Sequence, residues 1–323
     1  MDISLLLSKV YSAVLKRTYK KQKTYQNWLN KGYINTPLVS FIIQSHNKSI
    51  QVLHIVAKLR TVPNAEIIVI DDGSKLIHLR RLSHSLNRGN EFILRSNDLY
   101  ENVMYNKALK FANGKYCVLM QDDDDFDTLR WVDDAITLFQ KFPNMVILGG
   151  CGGYTIDFDD KERIANVHPD EQCTNFKFVH CVDRAPMWIN KNLFMEKLHH
   201  IDYSFAPFMG DDQELCLRSW LNGLLVGWYN CPFKSLSAGG MRIWNGSFAN
   251  EQSLKNAKKI YQMYALKKNQ FFLRLIEDDL YNTIIVLAKQ MQHGLFELSA
   301  CEERVYDKIQ DIELKGFIDR VDL

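Results

Sequence analysis

Val39-Ser40-Phe41-Ile42-Ile43-Gln44-Ser45-His46-Asn47 and, a little further on, Glu66-Ile67-Ile68-Val69-Ile70-Asp71-Asp72-Gly73-Ser74 share one layout. Each is a short apolar run, rich in strand-forming residues, that stops at polar, turn-forming ones. A run that is apolar at every position, instead of at alternate ones, suits a strand buried on both faces. Between the two, residues 51–59 read as a helix. Strand, helix, strand at this distance predicts a βαβ unit with parallel strands. In such sheets ligands bind beyond the carboxyl ends of the strands. Ser45-His46-Asn47 and Asp71-Asp72 are therefore expected on one rim.

The alternation continues outward from this unit. Residues 91–95 read as a strand, and 101–113 as a helix ended by Gly114. Tyr116-Cys117-Val118-Leu119-Met120 is a further buried strand, and it runs into Asp122-Asp123-Asp124-Asp125. Residues 131–142 read as a helix stopped by Pro143, and 145–148 as a strand before Gly149-Gly150. Residues 151–185 are irregular and are assigned no element. From Ser253 the chain turns helical, with Leu254, Ala257, Tyr261 and Tyr264 on one face and Leu280, Ile284, Leu287 and Met291 on another. At the other end Ile3, Leu7, Val10, Tyr11 and Val14 fall at helical spacing. Residues 1–33 carry seven Lys and Arg against Asp2 alone. Such an amphipathic, basic segment suits docking on its own domain or peripheral contact with an anionic membrane surface. The expected division is an N-terminal segment 1–36, an α/β domain 37–248 and a helical region 249–323.

Composition narrows the function classes. A length of 323 residues suits one large domain with helical additions. Hydrophobic content of 46% with 24% charged residues excludes global disorder. A net charge of +2 argues against a dedicated nucleic-acid binder. The seven cysteines are odd in number and form no Cys-x-x-Cys pair, which speaks against a disulfide framework and a zinc site. No apolar run reaches the ~20 residues that span a bilayer, and the N-terminus lacks a signal-peptide layout. The expected location is the cytoplasm, with the inner face of a membrane as a peripheral contact.

Four consecutive carboxylates at a strand end need positive charge among them. Two unit charges ~4 Å apart repel by ~4 kcal/mol at an effective dielectric of ~20. A hard divalent cation relieves this, and oxygen ligands suit Mg2+ or Mn2+. Residues two apart on an extended segment project to the same side, so Asp122 and Asp124 are the expected metal ligands. Such an ion would neutralise a leaving diphosphate. A solvated acidic turn is the plain alternative, and the position straight after a buried strand favours the site.

The blocks Val39 to Asn47, Ile67 to Ser74, Asn106 with Gly114-Lys115-Tyr116, and Gln121 to Asp125 are followed by Gly210-Asp211-Asp212-Gln213-Glu214-Leu215-Cys216-Leu217-Arg218, with Gly223 after it. In this order and spacing, over about residues 38–245, they resemble a family 2 glycosyltransferase of the GT-A fold. The resemblance implies a Rossmann-like, mostly parallel central sheet flanked by helices. It implies an inverting transfer from a nucleotide-sugar donor, a UDP-sugar by analogy, to a hydroxyl of a glycan, glycolipid or polysaccharide acceptor. Ser45, His46 and Asn47 would lie beside the donor nucleotide, and Asp71 and Asp72 would bind its nucleoside. Asn106 and Asp123 fall in the same donor set. Asp122 and Asp124 match the Asp-x-Asp positions, the first near the ribose or sugar and the second on the metal. Asp212 matches the general base, and Asp211 would help place the acceptor.

The chain also departs from that pattern. Tyr105 stands where many members carry an Arg before the Asn. No His occurs around Lys234-Ser235-Leu236-Ser237, so Lys234 or Arg242 would supply positive charge to the diphosphate. Gly239-Gly240-Met241-Arg242-Ile243-Trp244-Asn245 has the composition of a lid. Trp188 and Trp244 are candidates for stacking on a sugar. Arg218 is expected in a structural ion pair. The C-terminal helices are open to acceptor binding, a membrane contact or a homodimer. Two other readings stand beside this one. A sugar-phosphate nucleotidyltransferase usually shows a Gly-rich signature after the first strand, and Gln44 to Lys48 contains no glycine. A non-catalytic glycan-binding protein on a degenerate transferase fold is opposed by the intact acidic blocks.

Overall fold

The computed structural model describes residues 36–150, 152–158, 164–167, 176–184, 186–236 and 246–265, together with Leu6, Leu7, Val10 and Ile34. Most of the expected N-terminal helix, the segment from Gly239 to Asn245 and the face from Leu280 to Met291 lie outside the described residues.

The chain opens with the predicted alternation: β1 (Val39–Ser45), α1 (Ser49–Leu59), β2 (Ala65–Asp72), α2 (Leu76–Ser85), β3 (Glu91–Ser96), α3 (Tyr100–Phe111) and β4 (Tyr116–Met120). There follow β5 (Asp124–Phe126), α4 (Arg130–Lys141), β6 (Met145–Gly149), β7 (Gly153–Phe158), β8 (Ile164–Val167), β9 (Phe176–Phe178), β10 (Cys181–Val182) and β11 (Met187–Asn190). The described chain ends with α5 (Asp211–Leu221), β12 (Leu225–Tyr229), β13 (Phe233–Ser235) and α6 (Gly246–Tyr264). Eight strands form the central sheet in the order β3-β2-β1-β4-β11-β6-β12-β9. β1, β2, β3 and β4 run parallel, as do β6 and β12, while β11 is inserted antiparallel between β4 and β6. The expected mostly parallel sheet is therefore present.

Helices cover it with stripes dictated by their sequence. α1 buries Val52, Ile55, Val56 and Leu59, and α4 buries Trp131, Val132, Ala135, Leu138 and Phe139. These spacings place each set on one side of a helix, and each buried side chain of this size contributes roughly 1.5–3 kcal/mol.

Register decides what the rim looks like. Ser45 lies opposite Asp71, and Asp71 opposite Arg95. Ile43 lies opposite Met120, so the aspartate run leaves the sheet beside the end of β1. The polar endings that the sequence shows separately thus meet at one edge.

Three sequence expectations need correction here. Residues 151–185 are not wholly irregular: β7, β8 and β10 form a small antiparallel sheet, and β9 joins the edge of the large one. Strands of two to six residues are too short to display a period. Trp188 is 0% exposed and donates from Nε1 to the Tyr229 hydroxyl at 3.0 Å, so it belongs to the core and not to a sugar platform.

The third correction concerns α6, where Leu254 leaves the expected inward face while Tyr264 stays on it. Leu254 is 73% exposed, while Gln252, Asn256, Ile260 and Tyr264 are buried. Asn256 turns inward because its amide donates to the carbonyls of Phe205, Phe208 and Met209, at 3.2, 3.1 and 2.6 Å. Asn256→Ala is expected to lower stability by about 2–4 kcal/mol, since it strands buried carbonyls. Leu254→Ala should change it by less than about 0.5 kcal/mol. Chemical denaturation of the two variants checks the contrast, and equal effects would contradict it.

Candidate active site

At the rim, Asp71 is 0% exposed and neither of its carboxylate oxygens has a hydrogen-bond partner. Its nearest charge is the Arg95 Nε at 3.9 Å. On the adjoining strand the buried Ser45 Oγ is also without a partner. Buried acceptors are normally satisfied, and these two orphans stand side by side at the ends of β1 and β2. The loop after β1 is fixed around them. The Asn47 N–H donates to Ser74 Oγ at 2.8 Å, and Asn47 Oδ1 accepts from the Lys75 N–H at 2.8 Å. The turn needs glycine at Gly73, where φ is +77° and a Cβ would lie 2.6 Å from Asp98 Oδ1.

Asp72 does a different job from its neighbour. Its carboxylate accepts from the Ser96 hydroxyl, from the Leu99 N–H at 2.9 Å and from the Tyr100 N–H at 2.8 Å. These bonds hold Asp98 and Tyr100 at φ +53° and +59°, which non-glycine residues adopt only at a cost. Asp72 therefore anchors the β3–α3 turn. Asn106 is likewise structural. It is 1% exposed, its amide donates to the carbonyls of Asn102 at 3.1 Å and Ile201 at 2.9 Å, and its Oδ1 accepts from the Ile201 N–H at 2.8 Å. Both amide hydrogens are engaged inside the protein.

The aspartate run is a turn and not an extension of β4. Asp124 Oδ2 accepts from the Gln121 N–H at 2.8 Å, and the Asp124 N–H donates to the Gln121 carbonyl at 3.3 Å. The premise that the residues alternate along an extended segment fails for that reason. The four carboxylates have four environments. Asp122 accepts from the His46 N–H at 3.0 Å and pairs with Lys48 Nζ at 3.1 Å. Burial pushes its carboxyl up, against the pull of the His46 N–H and Lys48. Asp123 accepts from Ser235 Oγ at 2.5 Å, tying the run to β13. Asp124 is 7% exposed, and burial with Asp123 and Asp122 close by pushes its carboxyl up to about 7. Burial acts on Asp125 too, but Lys58 at 2.5 Å and His54 at 3.3 Å outweigh it and hold the carboxyl low.

Among the described residues no three His, Cys, Asp or Glu side chains gather as a ready metal cage. The donors present still fit a hard cation. Asp122 and Asp124 flank one turn with excess negative charge, and Mg2+-type sites commonly combine one or two carboxylates with phosphate oxygens.

Asp211 and Asp212 open α5, where the helix dipole favours carboxylates. Gly210 precedes them at φ +76°. Asp211 is 1% exposed, and its Oδ2 accepts from Arg184 Nη2 at 2.5 Å and from Asn102 Nδ2 at 3.1 Å. Asp212 is partly exposed, and its Oδ1 accepts from the Gln213 N–H at 2.9 Å. Desolvation pushes the Asp212 carboxyl up to about 7; Arg184 opposes the rise, and Asp211 and Asp183 add to it.

Two cations escaped the sequence reading. Lys48 became visible only through its pairing with Asp122. Arg184 lies in the stretch without periodicity, and its guanidinium sits 5.1 Å over the ring of Tyr105. A cation therefore stands beside the position where Tyr105 departs from the family pattern. The expected cation Lys234 is instead 64% exposed and bonded to Asp127 at 2.5 Å. Arg242 and Trp244 lie outside the described residues. Arg218 is in a structural ion pair, with Glu214 at 2.8 Å.

Solved structures of similar fold include the mannosyltransferase PcManGT from Pyrobaculum calidifontis, in complex with GDP-Man and Mn2+. It matches at a TM-score of 0.52 and 11% identity, over 99% of this chain and 98% of that one. The TarS fragment 1–349 of S. aureus, solved in complex with UDP-GlcNAc among other forms, matches at a TM-score of 0.49 and 15% identity over 88% of this chain and 81% of that one. At such identities the likeness to PcManGT is one of fold. No curated protein sequence matches. The sequence profile described as glycosyl transferase family 2 matches residues 40–212, more than half of the chain and the whole span from β1 to Asp212. By that match, and with the GT-A sheet beneath it, this chain belongs to glycosyl transferase family 2.

Proposed function

We propose that the chain transfers a sugar from a nucleotide-sugar donor, with UDP-sugars as the first choice, to a hydroxyl of a glycan, glycolipid or polysaccharide, with inversion at the anomeric carbon. The carrying observation is the buried pair Asp71 and Ser45, whose acceptor atoms have no hydrogen-bond partner within the protein. A nucleoside brings the N–H and O–H donors that such a pair lacks. Asp212 is the proton acceptor for the attacking hydroxyl, which approaches from the face opposite the diphosphate. Asp211, engaged with Arg184 and Asn102, stiffens the start of α5 beside it. Asp122 and Asp124 would hold Mn2+ or Mg2+, which when bound neutralises the charge on the departing diphosphate. Lys48 brings a further positive charge to the same edge.

Incubation with UDP-, GDP- and dTDP-sugars plus Mn2+ tests this reading through slow donor hydrolysis. GDP-mannose belongs in that panel because PcManGT was solved with it. With the active donor, kcat/KM is expected to rise with pH through about 7, since the base works ionised and burial raises its carboxyl. A rate independent of pH between about 5 and 9 would exclude Asp212 as the base.

A further inference from the structure

Arg184 sits where α3, α5 and the β10–β11 connection meet. Its neighbours on the chain are pinned: the Asp183 N–H donates to the Gly152 carbonyl at 3.0 Å, and the Gly150 N–H to the Pro186 carbonyl at 3.1 Å. The side chain is 6% exposed. Its Nη1 donates to Glu101 Oε2 at 2.9 Å and its Nη2 to Asp211 Oδ2 at 2.5 Å, while the guanidinium lies over Tyr105. Three residues on one side of α3, namely Glu101, Asn102 and Tyr105, therefore hold Arg184 and Asp211 together. The adjoining carboxylate, Asp212, is partly exposed and accepts from the Gln213 N–H through Oδ1 at 2.9 Å.

We infer that Arg184 is a positioning residue for proton transfer: it turns Asp211 inward as its counter-ion and fixes a positive charge at the start of α5, where the neighbouring Asp212 takes the proton of the acceptor hydroxyl. The inference rests on the reading of Asp212 as the base. The groups facing Asp212 make the demand clear. On α5 Asp211 and Gln213 flank it, and from the β10–β11 connection the charges of Arg184 and Asp183 act on it. Asp212 also acts electrostatically on Cys181 of β10 and Tyr154 of β7. Tyr154 donates to Asp183 at 3.1 Å and accepts from Gln213 at 3.1 Å. Arg184 is the one cation among these described residues, and it is shared with Glu101. Burial raises the Asp212 carboxyl and Arg184 opposes the rise.

The test is the titration of Asp212 in the full chain, followed by carbon NMR of labelled aspartate carboxyls and assigned with Asp212→Asn. In Arg184→Gln the midpoint is expected to rise by about one pH unit or more. Arg184→Lys, which keeps the charge, should restore most of that shift. In Glu101→Gln the guanidinium is no longer shared, and the midpoint should fall. Glu101→Gln decides the matter if Arg184→Gln does not fold, because Glu101 is 31% exposed and its removal leaves the buried cation in place. A midpoint unmoved in the folded variants overturns the inference, and so does Arg184→Lys behaving like Arg184→Gln. Midpoints that move as expected while the acid limb of kcat/KM stays put would leave Arg184 governing the charge of Asp212, remove Asp212 as the base, and overturn the role in proton transfer.

Discussion

Asp212→Asn is expected to lower turnover by about a hundred- to ten-thousand-fold, the range for loss of a general base, while nucleotide affinity stays close to wild type. The separation follows from geometry. Asp212 opens α5 beside Arg184 and Asp211, whereas the unpartnered acceptors Asp71 and Ser45 close β2 and β1. Asparagine keeps the size of the side chain and its carbonyl can still accept from the Gln213 N–H, so the helix start is preserved. It cannot take a proton at neutral pH. Steady-state kinetics with the active donor, beside nucleotide titration by calorimetry, read the two quantities independently. Turnover retained in the variant would move the base elsewhere. Turnover and nucleotide affinity lost together would make Asp212 part of the donor site.

Asp71→Asn should move stability and binding in opposite directions. The carboxylate is 0% exposed, has no hydrogen-bond partner and has its nearest cation at 3.9 Å. Removing a poorly compensated buried charge should stabilise the free protein by about 1 kcal/mol or more. The same change deletes acceptors for the donor nucleotide. A hydrogen bond to a charged group is worth ~1.5–3 kcal/mol, so the dissociation constant should weaken about 10- to 100-fold. Thermal melts with and without nucleotide measure both, and the nucleotide-induced rise in Tm should shrink. A variant that is less stable yet binds as before would show that Asp71 serves the fold through Arg95. Asp72→Asn provides the contrast. Its three donors lie inside the protein, so its loss should lower stability.

That contrast shows where sequence reading stops. Asp71 and Asp72 are adjacent carboxylates at one strand end, and the resemblance treats them alike. Register and alternation send one toward the rim orphans and the other under the β3–α3 turn. Asn106 carries the same lesson: its place in a family block pointed to the donor, while its contact with Ile201 across the chain makes it a buried tie. Arg184 could not be singled out beforehand at all. Its meaning lies in Glu101 and Asp211, 83 and 27 residues away, and its own segment has no period to place it. On α6 Tyr264 lies inward as its spacing predicts, but Leu254 does not, because Asn256, a polar residue, turns inward to satisfy three carbonyls of the 205–209 loop.

The β1-α1-β2 unit, the buried strand before the aspartate run and the rim that collects the acids were set by local pattern, because strand burial and helix faces repeat within a few residues. The division of labour among those acids was set by tertiary structure alone. A carboxylate's role depends on which donors and cations reach it, and those arrive from distant parts of the chain: Lys48 at Asp122, Lys58 at Asp125, Ser235 at Asp123 and Arg184 at Asp211.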